Sequence, residues 1–216
     1  MPPPTEGFGR NVFINCPFDA DYLPLARILV FCVLRCGFQP RIATERSDSG
    51  EVRVEKIREL IQSSRFSIHD LSRMEPLRPE DLPRFNMPFE LGLDLGCRYY
   101  GTARLKSKQC LILETERYRY QKVLSDIAGN DIRAHHDDPE QLVQELRDWL
   151  RVASGEALLP AAMLWDQFNL FKDRLEMELE SLGYSKRDVN ALEMVEYIGF
   201  VQSWMEKVWL VSEWVG

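Results

Sequence analysis

The chain has 216 residues, and its 27 Lys and Arg side chains against 34 Asp and Glu give a formal net charge of −7. Phosphate contacts to a nucleic acid depend on a surplus of Lys and Arg, so this balance argues against a nucleic-acid partner. A hydrophobic content of 45% is typical of a globular protein, and no run of about 18 apolar residues predicts a membrane span. Five cysteines without a C-x-x-C pair, and an N-terminus without an apolar signal run, predict reduced thiols in a cytoplasmic protein.

Predicted strands and helices alternate over most of the chain. Residues 1–10 are proline-rich and are expected to be disordered. The predicted strands are Asn11–Asn15, Phe38–Ala43, Arg65–Asp70, Lys108–Leu113 and a short one at Asp131–His135. The predicted helices are Asp21–Cys36, Val52–Ser63 with Val54, Ile57, Leu60 and Ile61 on its buried face, one that begins near Asn86, and Pro139–Arg151; Leu71–Arg84 is irregular. This alternation predicts an α/β domain over residues 11–153, with a parallel sheet covered by helices on both faces.

Residues 154–216 contain no strand pattern and are predicted to form a helical hairpin. Between Pro160 and Leu182 apolar residues recur in steps of three and four, and Gly183 ends that helix. Ser185 and Asp188 have the spacing of a capping box. One final helix is then expected to carry Val189, Leu192, Val195, Ile198, Val201, Trp204, Met205, Val208, Trp209 and Trp214.

Two roles for this hairpin follow from its apolar surface. It either folds back and completes the core of the α/β domain, or it mediates self-association or docks on a partner protein through residues 156–216. The heptad-like stripe and the three tryptophans favour the second role. A helix that lies on a membrane is disfavoured because Glu dominates the polar faces.

The most informative segment for function is FNMPFELGLDLG, because it opens a helix at the sheet edge where parallel α/β proteins bind ligands. Asn86 is predicted to cap this helix. Glu90 follows in or just after the first turn, where the helix dipole is expected to keep it ionised at neutral pH. Gly92 and Gly96 are predicted to let the helix approach the sheet closely. From spacing alone, Glu90 is either a solvated acid at a helix start or a functional carboxylate.

Two families resemble these motifs. The strand and loop VFINCPFDADYLPLARIL resemble the first conserved box of Toll/interleukin-1 receptor (TIR) domains, although Asn15-Cys16-Pro17 stands where those domains more often carry a Ser-Tyr-type pair. HDLS at His69–Ser72, FNMPFELGLDLG and the following KQCLIL strand are similar to the nucleoside 2-deoxyribosyltransferase family. The resemblance covers residues 11–150. It implies a flavodoxin-like parallel sheet, followed here by a C-terminal α-helical hairpin, and cleavage of an N-glycosidic bond by a glutamate.

The implied reaction is cleavage of NAD⁺ or a related nucleotide, with Glu90 as the catalytic carboxylate. NAD⁺ is then a substrate, and no cofactor is expected. Because nicotinamide leaves as a neutral molecule, a general acid is unnecessary, unlike in ordinary glycoside hydrolysis. An ionised Glu90 is expected to stabilise the oxocarbenium-like transition state or to attack it as a nucleophile.

Further candidate substrate-binding residues lie in the loops at the same sheet edge: Asn15, Phe18, Asp19, Arg46, Ser49, Asp70, Ser72 and Asn86. Several have structural alternatives, namely helix capping for Asp19, a turn for Asp70 and a solvated loop around Arg46. No metal is expected at His135 and His136, because neighbours at a strand end point to opposite faces. Cys16 is expected to be a buried bystander.

The resemblance implies an NAD⁺ nucleosidase (glycohydrolase) or cyclase of the bacterial TIR-like immune proteins, active in antiphage defence and switched on by self-assembly. The alternatives are a non-catalytic nucleotide-sensing or protein-docking module, and a nucleotide-signal synthase or deoxyribosyltransferase. Charge is uneven: residues 1–153 hold 22 basic and 23 acidic side chains, a balance of −1, and residues 154–216 hold 5 and 11, a balance of −6. The nearly neutral domain is therefore suited to an anionic dinucleotide.

Overall fold

The structure is a computed structural model that describes residues 7–74 and 84–212. Five parallel strands form one sheet in the order β2-β1-β3-β4-β5. They are β1 (Asn11–Asn15), β2 (Gln39–Ile42), β3 (Phe66–Asp70), β4 (Gln109–Glu114) and β5 (Arg133–Ala134). The chain reverses its direction of travel across the sheet between β2 and β3, so the topological switch point lies at the carboxyl ends of β1 and β3. The predicted α/β class with a flavodoxin-like parallel sheet is confirmed.

The helices are α1 (Leu23–Arg35), α2 (Arg53–Gln62), α3 (Asn86–Tyr100), α4 (Ala103–Lys106), α5 (Pro139–Ser154), α6 (Ala161–Ser181), α7 (Lys186–Asn190) and α8 (Met194–Ser212). The four predicted helices of the α/β domain and the first helix of the hairpin are present, α4 is an additional short helix, and the final predicted helix is divided in two. No helix in the described part of the chain is both long enough and apolar enough to cross a bilayer.

The structure describes only parts of the predicted disordered N-terminus and of the predicted irregular segment. Residues 1–6 of the predicted disordered N-terminus, and residues 75–83 of the predicted irregular segment, lie outside the described residues. Residues 7–10 form a hydrogen-bonded turn in which the Arg10 amide donates to the Gly7 carbonyl at 2.9 Å. Arg10 also forms an ion pair with Glu156 at 2.8 Å. The turn that precedes β1 is therefore tied to the segment that leads into α6.

Side-chain alternation along the strands gives the sheet two different faces. Val12, Ile14 and Ile68 pack into the main apolar core with α1 and α5. On the other face Phe13 packs with residues of α2, and His69 bonds to α3. One face of the sheet is thus mainly apolar, and the other carries a buried chain of polar groups that joins it to α3.

The buried side of α2 differs in one position from the prediction. Ile57, Leu60 and Ile61 are buried as expected, but Val54 is 40% exposed. Lys56 is buried instead, because its ammonium group donates to the Arg46 carbonyl at 2.8 Å. A long side chain can bury its stem while its charged end finds a partner, which a hydrophobic pattern does not reveal.

The hairpin packs on the outer side of α1 and α5 and belongs to the main core. The predicted stripe of α6 is buried at Leu164, Phe168, Phe171, Leu175 and Leu179, whereas Leu182 is exposed. Phe31 of α1 lies among aromatic rings of the hairpin, with centroid distances of 5.4 Å to Phe171 and 5.8 Å to Trp204. The hairpin therefore folds back on the α/β domain and completes its core, which is the first of the two predicted roles. Docking through residues 156–216 stays a prediction, and it has to use residues other than the buried stripe.

The turn between the hairpin helices follows the sequence signals. Gly183 adopts a φ of +89°, a conformation that favours glycine at a helix C-terminus. The Asp188 amide donates to the Ser185 hydroxyl at 3.3 Å, and the Ser185 amide donates to the Asp188 carboxylate at 2.8 Å. This is the predicted capping box.

The prediction of a single final helix is wrong, because the helix stops at Asn190 and restarts at Met194. The Arg27 guanidinium of α1 donates to the Val189 carbonyl at 2.9 Å and to the Leu192 carbonyl at 3.3 Å. It therefore takes carbonyls that would otherwise continue the helical ladder. After the break the buried face of α8 is Met194, Tyr197, Val201 and Trp204, and the predicted Val195 is 49% exposed.

Phe171→Ala should lower the free energy of unfolding by about 3–5 kcal/mol, because it removes a buried ring from the contact between hairpin and α1. Urea unfolding followed by circular dichroism measures this. The matched control is the neighbouring Leu170→Ala, since Leu170 is 47% exposed and its truncation should cost less than about 1 kcal/mol. Equal losses for the two variants would contradict the packing of the hairpin on the α/β domain.

Candidate functional site

Buried polar residues line the carboxyl ends of four strands. Asn15 ends β1, Asp70 ends β3, Glu114 ends β4, and His135 follows β5 directly. Each is at most 2% exposed. This is the edge at which open parallel sheets bind ligands, and buried polar groups require partners, so their contacts define the site.

Asp70 uses both carboxylate oxygens within the protein. The Ser72 amide donates to Oδ1 at 2.8 Å, while the Tyr22 hydroxyl and His135 Nε2 contact Oδ2, His135 at 3.1 Å. Burial alone would raise the pKa of Asp70, but the hydrogen bonds from His135, Ser72 and Tyr22 hold that pKa below its ordinary value. The predicted turn-forming alternative for Asp70 is therefore present, and neither oxygen faces solvent for a ribose hydroxyl.

His135 orients this cluster through both of its ring nitrogens. The Asp137 amide donates to Nδ1 at 3.1 Å, so Nδ1 is an acceptor and the proton of the neutral ring lies on Nε2. Nε2 faces both Asp70 Oδ2 and the Ser72 hydroxyl, the latter at 2.9 Å. A nucleophilic triad needs the acid and the hydroxyl on opposite ring nitrogens. Ser72 and Asp70 share one nitrogen, so this cluster positions a loop and does not activate Ser72.

The loop after β3 is held from a second side by Arg119. Its guanidinium pairs with the buried Glu114 carboxylate, with one Nε–Oε2 distance of 2.9 Å. The same guanidinium donates to the Ser72 carbonyl at 2.7 Å. The backbone around Ser72 is therefore fixed between β4 and β5.

A second buried polar chain connects the sheet to α3. The Asn15 amide nitrogen donates to the Met87 carbonyl at 3.0 Å and to His69 Nδ1 at 2.9 Å, and His69 Nε2 donates to Asp94 at 3.0 Å. Lys108 Nζ lies 3.2 Å from the other oxygen of Asp94. Burial alone would raise the pKa of Asp94, but the hydrogen bond from His69 and the charge of Lys108 hold that pKa below its ordinary value.

The buried hydrogen-bonded series through His69 and Asp94 contains side chains of the types that bind metal ions. Within the described ranges, ligand atoms of His69, Asp94 and Cys110 approach one another within 4.8 Å. Lys108 already supplies the positive charge next to Asp94, and burial raises the pKa of the Cys110 thiol, whereas metals bind the thiolate. His135 and His136 point apart, since the first is buried and the second is exposed.

Glu90 lies on the sheet-facing side of α3 together with Met87, Leu91 and Asp94. Its side chain is 4% exposed, and Nη2 of Arg53, the first residue of α2, lies 3.6 Å from Oε1. Burial raises the pKa of Glu90 to about 7, and the charge of Arg53 opposes that rise. The prediction of an acid ionised by the helix dipole is therefore corrected: Glu90 lies beyond the first turn, where the dipole is weak, and loss of solvent outweighs it.

Three other expectations for α3 are wrong. Phe85 occupies the N-cap position, and Asn86 is the exposed first residue of the helix. A Cβ at Gly92 or Gly96 would meet no described atom within 4 Å, so neither glycine permits a close approach to the sheet. The reason is the helical phase: Gly92 and Gly96 each follow an inward-facing acid by two residues, about 200° around the helix, and so lie on its outer side.

The loop after β1 holds the candidate residues Phe18 and Asp19 and also Cys16, at the same carboxyl edge of the sheet. The Asp19 carboxylate accepts from the Tyr22 amide at 3.1 Å, which makes it a turn residue, and its other oxygen lies 3.5 Å from Arg84 at the start of α3. Phe18 is half-buried against the main core. Cys16 is 1% exposed, and burial together with the charges of Asp70, Asp19 and Glu90 raises the pKa of its thiol. The negative charges of these three carboxylates therefore favour the protonated form of the Cys16 thiol.

Arg46 was the predicted substrate-binding arginine of the segment after β2, but the arginine that lies at Glu90 is Arg53, the first residue of α2. Arg46 is paired within its own segment, at 3.0 Å to both Glu51 and Glu59, and Ser49 is exposed. Arg53 is the residue that faces Glu90. Sequence reasoning missed Arg53, and also Tyr22 and His135 as partners of Asp70. Only the position of Arg53 at the start of a helix on the binding edge was a signal for it.

No protein-family model matches the chain, and no curated protein matches it. Among solved structures, the chain is similar to the TIR domains in a structure of the activated Roq1 resistosome that directly recognises the pathogen effector XopQ. The TM-score is 0.43 and the sequence identity 13%, over 76% of this chain and 98% of that chain. At this level the likeness carries no argument about activity, which has to be argued from the residues of the site. The comparisons lend no support to the nucleoside 2-deoxyribosyltransferase resemblance.

Asp94→Asn should destabilise the protein by about 3–5 kcal/mol, because it leaves the buried Lys108 ammonium without its counter-charge while the shape is kept. Chemical unfolding measures the loss. The control is Glu55→Gln, which breaks the exposed Glu55–Arg58 pair and should cost less than about 1 kcal/mol. A cost below about 1 kcal/mol for Asp94→Asn would show that the buried chain does not hold α3.

Glu90→Gln should stabilise the protein at pH 8 and should lose that advantage near pH 5. Because the folded-state pKa of about 7 lies above the ordinary 4.5, the folded protein binds more protons in this window, and wild-type stability falls as the pH rises through it. At 1.36 kcal/mol per pKa unit the maximal difference is about 3 kcal/mol. Urea unfolding at both pH values measures it, with Glu116→Gln on the exposed loop after β4 as control. A pH-independent difference would refute the raised pKa.

Proposed function

We propose that this protein cleaves the N-glycosidic bond of NAD⁺ or a related nucleotide, with Glu90 as the catalytic carboxylate. The observation that carries the proposal is the position of Glu90, which is a buried carboxylate at the carboxyl edge of the sheet, beside the exposed Arg53. A second support is the pKa of about 7, because groups tuned away from their ordinary pKa concentrate at functional sites.

The reaction requires one negative charge close to the ribose. The bond between C1′ and the nicotinamide nitrogen breaks, and its electron pair leaves with neutral nicotinamide. A water molecule then adds its oxygen to C1′ and releases a proton, which leaves ADP-ribose. The Glu90 carboxylate stabilises the positive charge on C1′ or forms a transient ester with it. If a group of the nucleotide itself attacks in place of water, the product is cyclic.

Protonation of Glu90 controls this chemistry. Only the carboxylate form stabilises a cation, so activity should rise with pH as Glu90 loses its proton. A low-dielectric surrounding also strengthens the attraction between Glu90 and the developing charge. Burial thus makes the ionised group scarcer near pH 7 and more effective where it exists.

A second candidate function is nucleotide binding without cleavage. The observation that favours it is the same contact, because Glu90 is nearly buried and already faces Arg53. In such a module Glu90 would hold the ribose by hydrogen bonds. The two candidates differ in one measurable respect, which is the release of nicotinamide.

The resemblance to TIR proteins supports a place in bacterial antiphage defence, with activity switched on by self-assembly. The buried stripe of α6 serves the core of the chain itself. Assembly would therefore use the outer side of α6, where Met163, Leu170 and Met177 are exposed at a spacing of seven residues. Such a spacing suits the packing of one helix along another.

Purified protein incubated with NAD⁺ should release nicotinamide, and Glu90→Gln should lower kcat by about 100-fold or more, because the stabilising charge is lost. Chromatography of the products separates ADP-ribose from cyclic products, and deoxynucleosides assayed in parallel test base transfer. If assembly activates the protein, turnover per molecule should rise with protein concentration.

Glu116→Gln is the control for this assay and should retain wild-type activity. Full activity in Glu90→Gln would exclude Glu90 as the catalytic group. Absence of nicotinamide release from concentrated wild type, combined with calorimetric binding of NAD⁺, would favour the binding module over the enzyme.

A further inference from the structure

The contact between Arg53 and Glu90 joins two very different side chains. Glu90 is 4% exposed and fixed on the inner side of α3, whereas the Arg53 side chain is 57% exposed and begins α2. The distance from Nη2 to Oε1 is 3.6 Å, which is an ion pair without a short hydrogen bond. Arg53 is thus the exposed partner of the pair, and more than half of its side chain lies at the protein surface.

The other cations of the same segment have partners elsewhere. Arg46 bridges Glu51 and Glu59, Lys56 is buried and donates to the Arg46 carbonyl, and Arg58 pairs with Glu55. Among the described residues 43–62, Arg53 is the cation that faces the Glu90 carboxylate.

The start of α2 adds a second feature that suits an anion. Val52 is the N-cap residue, and its apolar side chain has no oxygen to accept from the first-turn amides. Amides at the start of a helix favour phosphate oxygens, and an arginine beside them adds a planar, charged donor.

We propose that Arg53 is the specificity-determining residue of the site, which binds the diphosphate of the nucleotide and, in doing so, leaves Glu90 to the ribose. This inference rests on the proposed function insofar as the ligand is a nucleotide. In the structure the guanidinium forms an ion pair with Glu90. When a phosphate-bearing ligand enters, its doubly charged diphosphate competes with the single carboxylate for Arg53. A nucleoside without phosphate offers no such competitor, so Glu90 stays paired.

The test compares wild type, Arg53→Ala, Arg53→Lys and Arg58→Ala, with ADP-ribose and adenosine as ligands in calorimetry and with NAD⁺ and nicotinamide riboside as substrates. Arg53→Ala should weaken ADP-ribose binding and lower kcat/KM for NAD⁺ by about 10- to 100-fold. At pH 9, well above the Glu90 pKa of about 7, adenosine binding and turnover of nicotinamide riboside should not fall, because neither compound carries a phosphate that Arg53 could bind. Arg53→Lys should lie between wild type and Arg53→Ala, because it keeps the charge and loses the planar donor pair. Arg58→Ala, on the same helix, should match wild type.

The outcomes separate this inference from the proposed function. If the wild type cleaves NAD⁺, and Arg53→Ala loses affinity and kcat/KM equally for phosphorylated and unphosphorylated compounds, the role of Arg53 is overturned and the proposed cleavage activity is retained. Phosphate-dependent binding without any turnover would support Arg53 and refute cleavage. Wild type that binds neither ADP-ribose nor adenosine would overturn both. Thermal unfolding of each variant shows that it is folded, and the exposed position of Arg53 makes a loss of the fold unexpected.

Discussion

The hydrogen bond between His69 and Asp94 is the constraint on which the site depends. It connects the middle of the sheet to the middle of α3, and Asn15 and Lys108 extend it at both ends. Replacing such a buried polar chain by apolar residues often costs no stability, so its value lies elsewhere. Its directional bonds specify one rotation of α3 about its axis, and Glu90, one turn before Asp94, is thereby turned toward the carboxyl edge of the sheet.

The two faces of the sheet are packed in different ways. The apolar face is covered by α1 and α5 and then by the hairpin, so that three layers bury one continuous core. The opposite face carries smaller clusters and the polar chain beneath α2 and α3. Apolar packing is non-directional and tolerates small shifts, whereas hydrogen bonds specify position. On the side of the sheet that holds the candidate carboxylate, the position of α3 is therefore specified by the directional contacts of Asn15, His69 and Asp94.

Glu90 and Asp94 show how one helix gives two carboxylates different properties. Both are on the inner side of α3 and both are nearly inaccessible to solvent. Asp94 has His69 and Lys108 as partners, so its pKa lies below its ordinary value. Glu90 has one exposed arginine, so burial prevails and its pKa rises to about 7. The number of fixed donors around each carboxylate, and not its burial, decides which acid is structural and which is available for chemistry.

The sequence by itself determined the strand and helix alternation, the parallel α/β class, the capping box at Ser185 and the position of Glu90 at the binding edge, because these depend on local periodicity and on short-range hydrogen bonds. Only the tertiary structure decided the pairing of Arg53 with Glu90, the partners of Asp70 and the break before Met194, since each joins residues far apart in the chain. The sequence also did not determine on which side of α3 Gly92 lies. The buried side of this helix carries Glu90 and Asp94 as well as apolar residues, so the hydrophobic pattern does not identify it. Local patterns identify elements, whereas the contacts between elements set the ionisation and the partners of the side chains in the site.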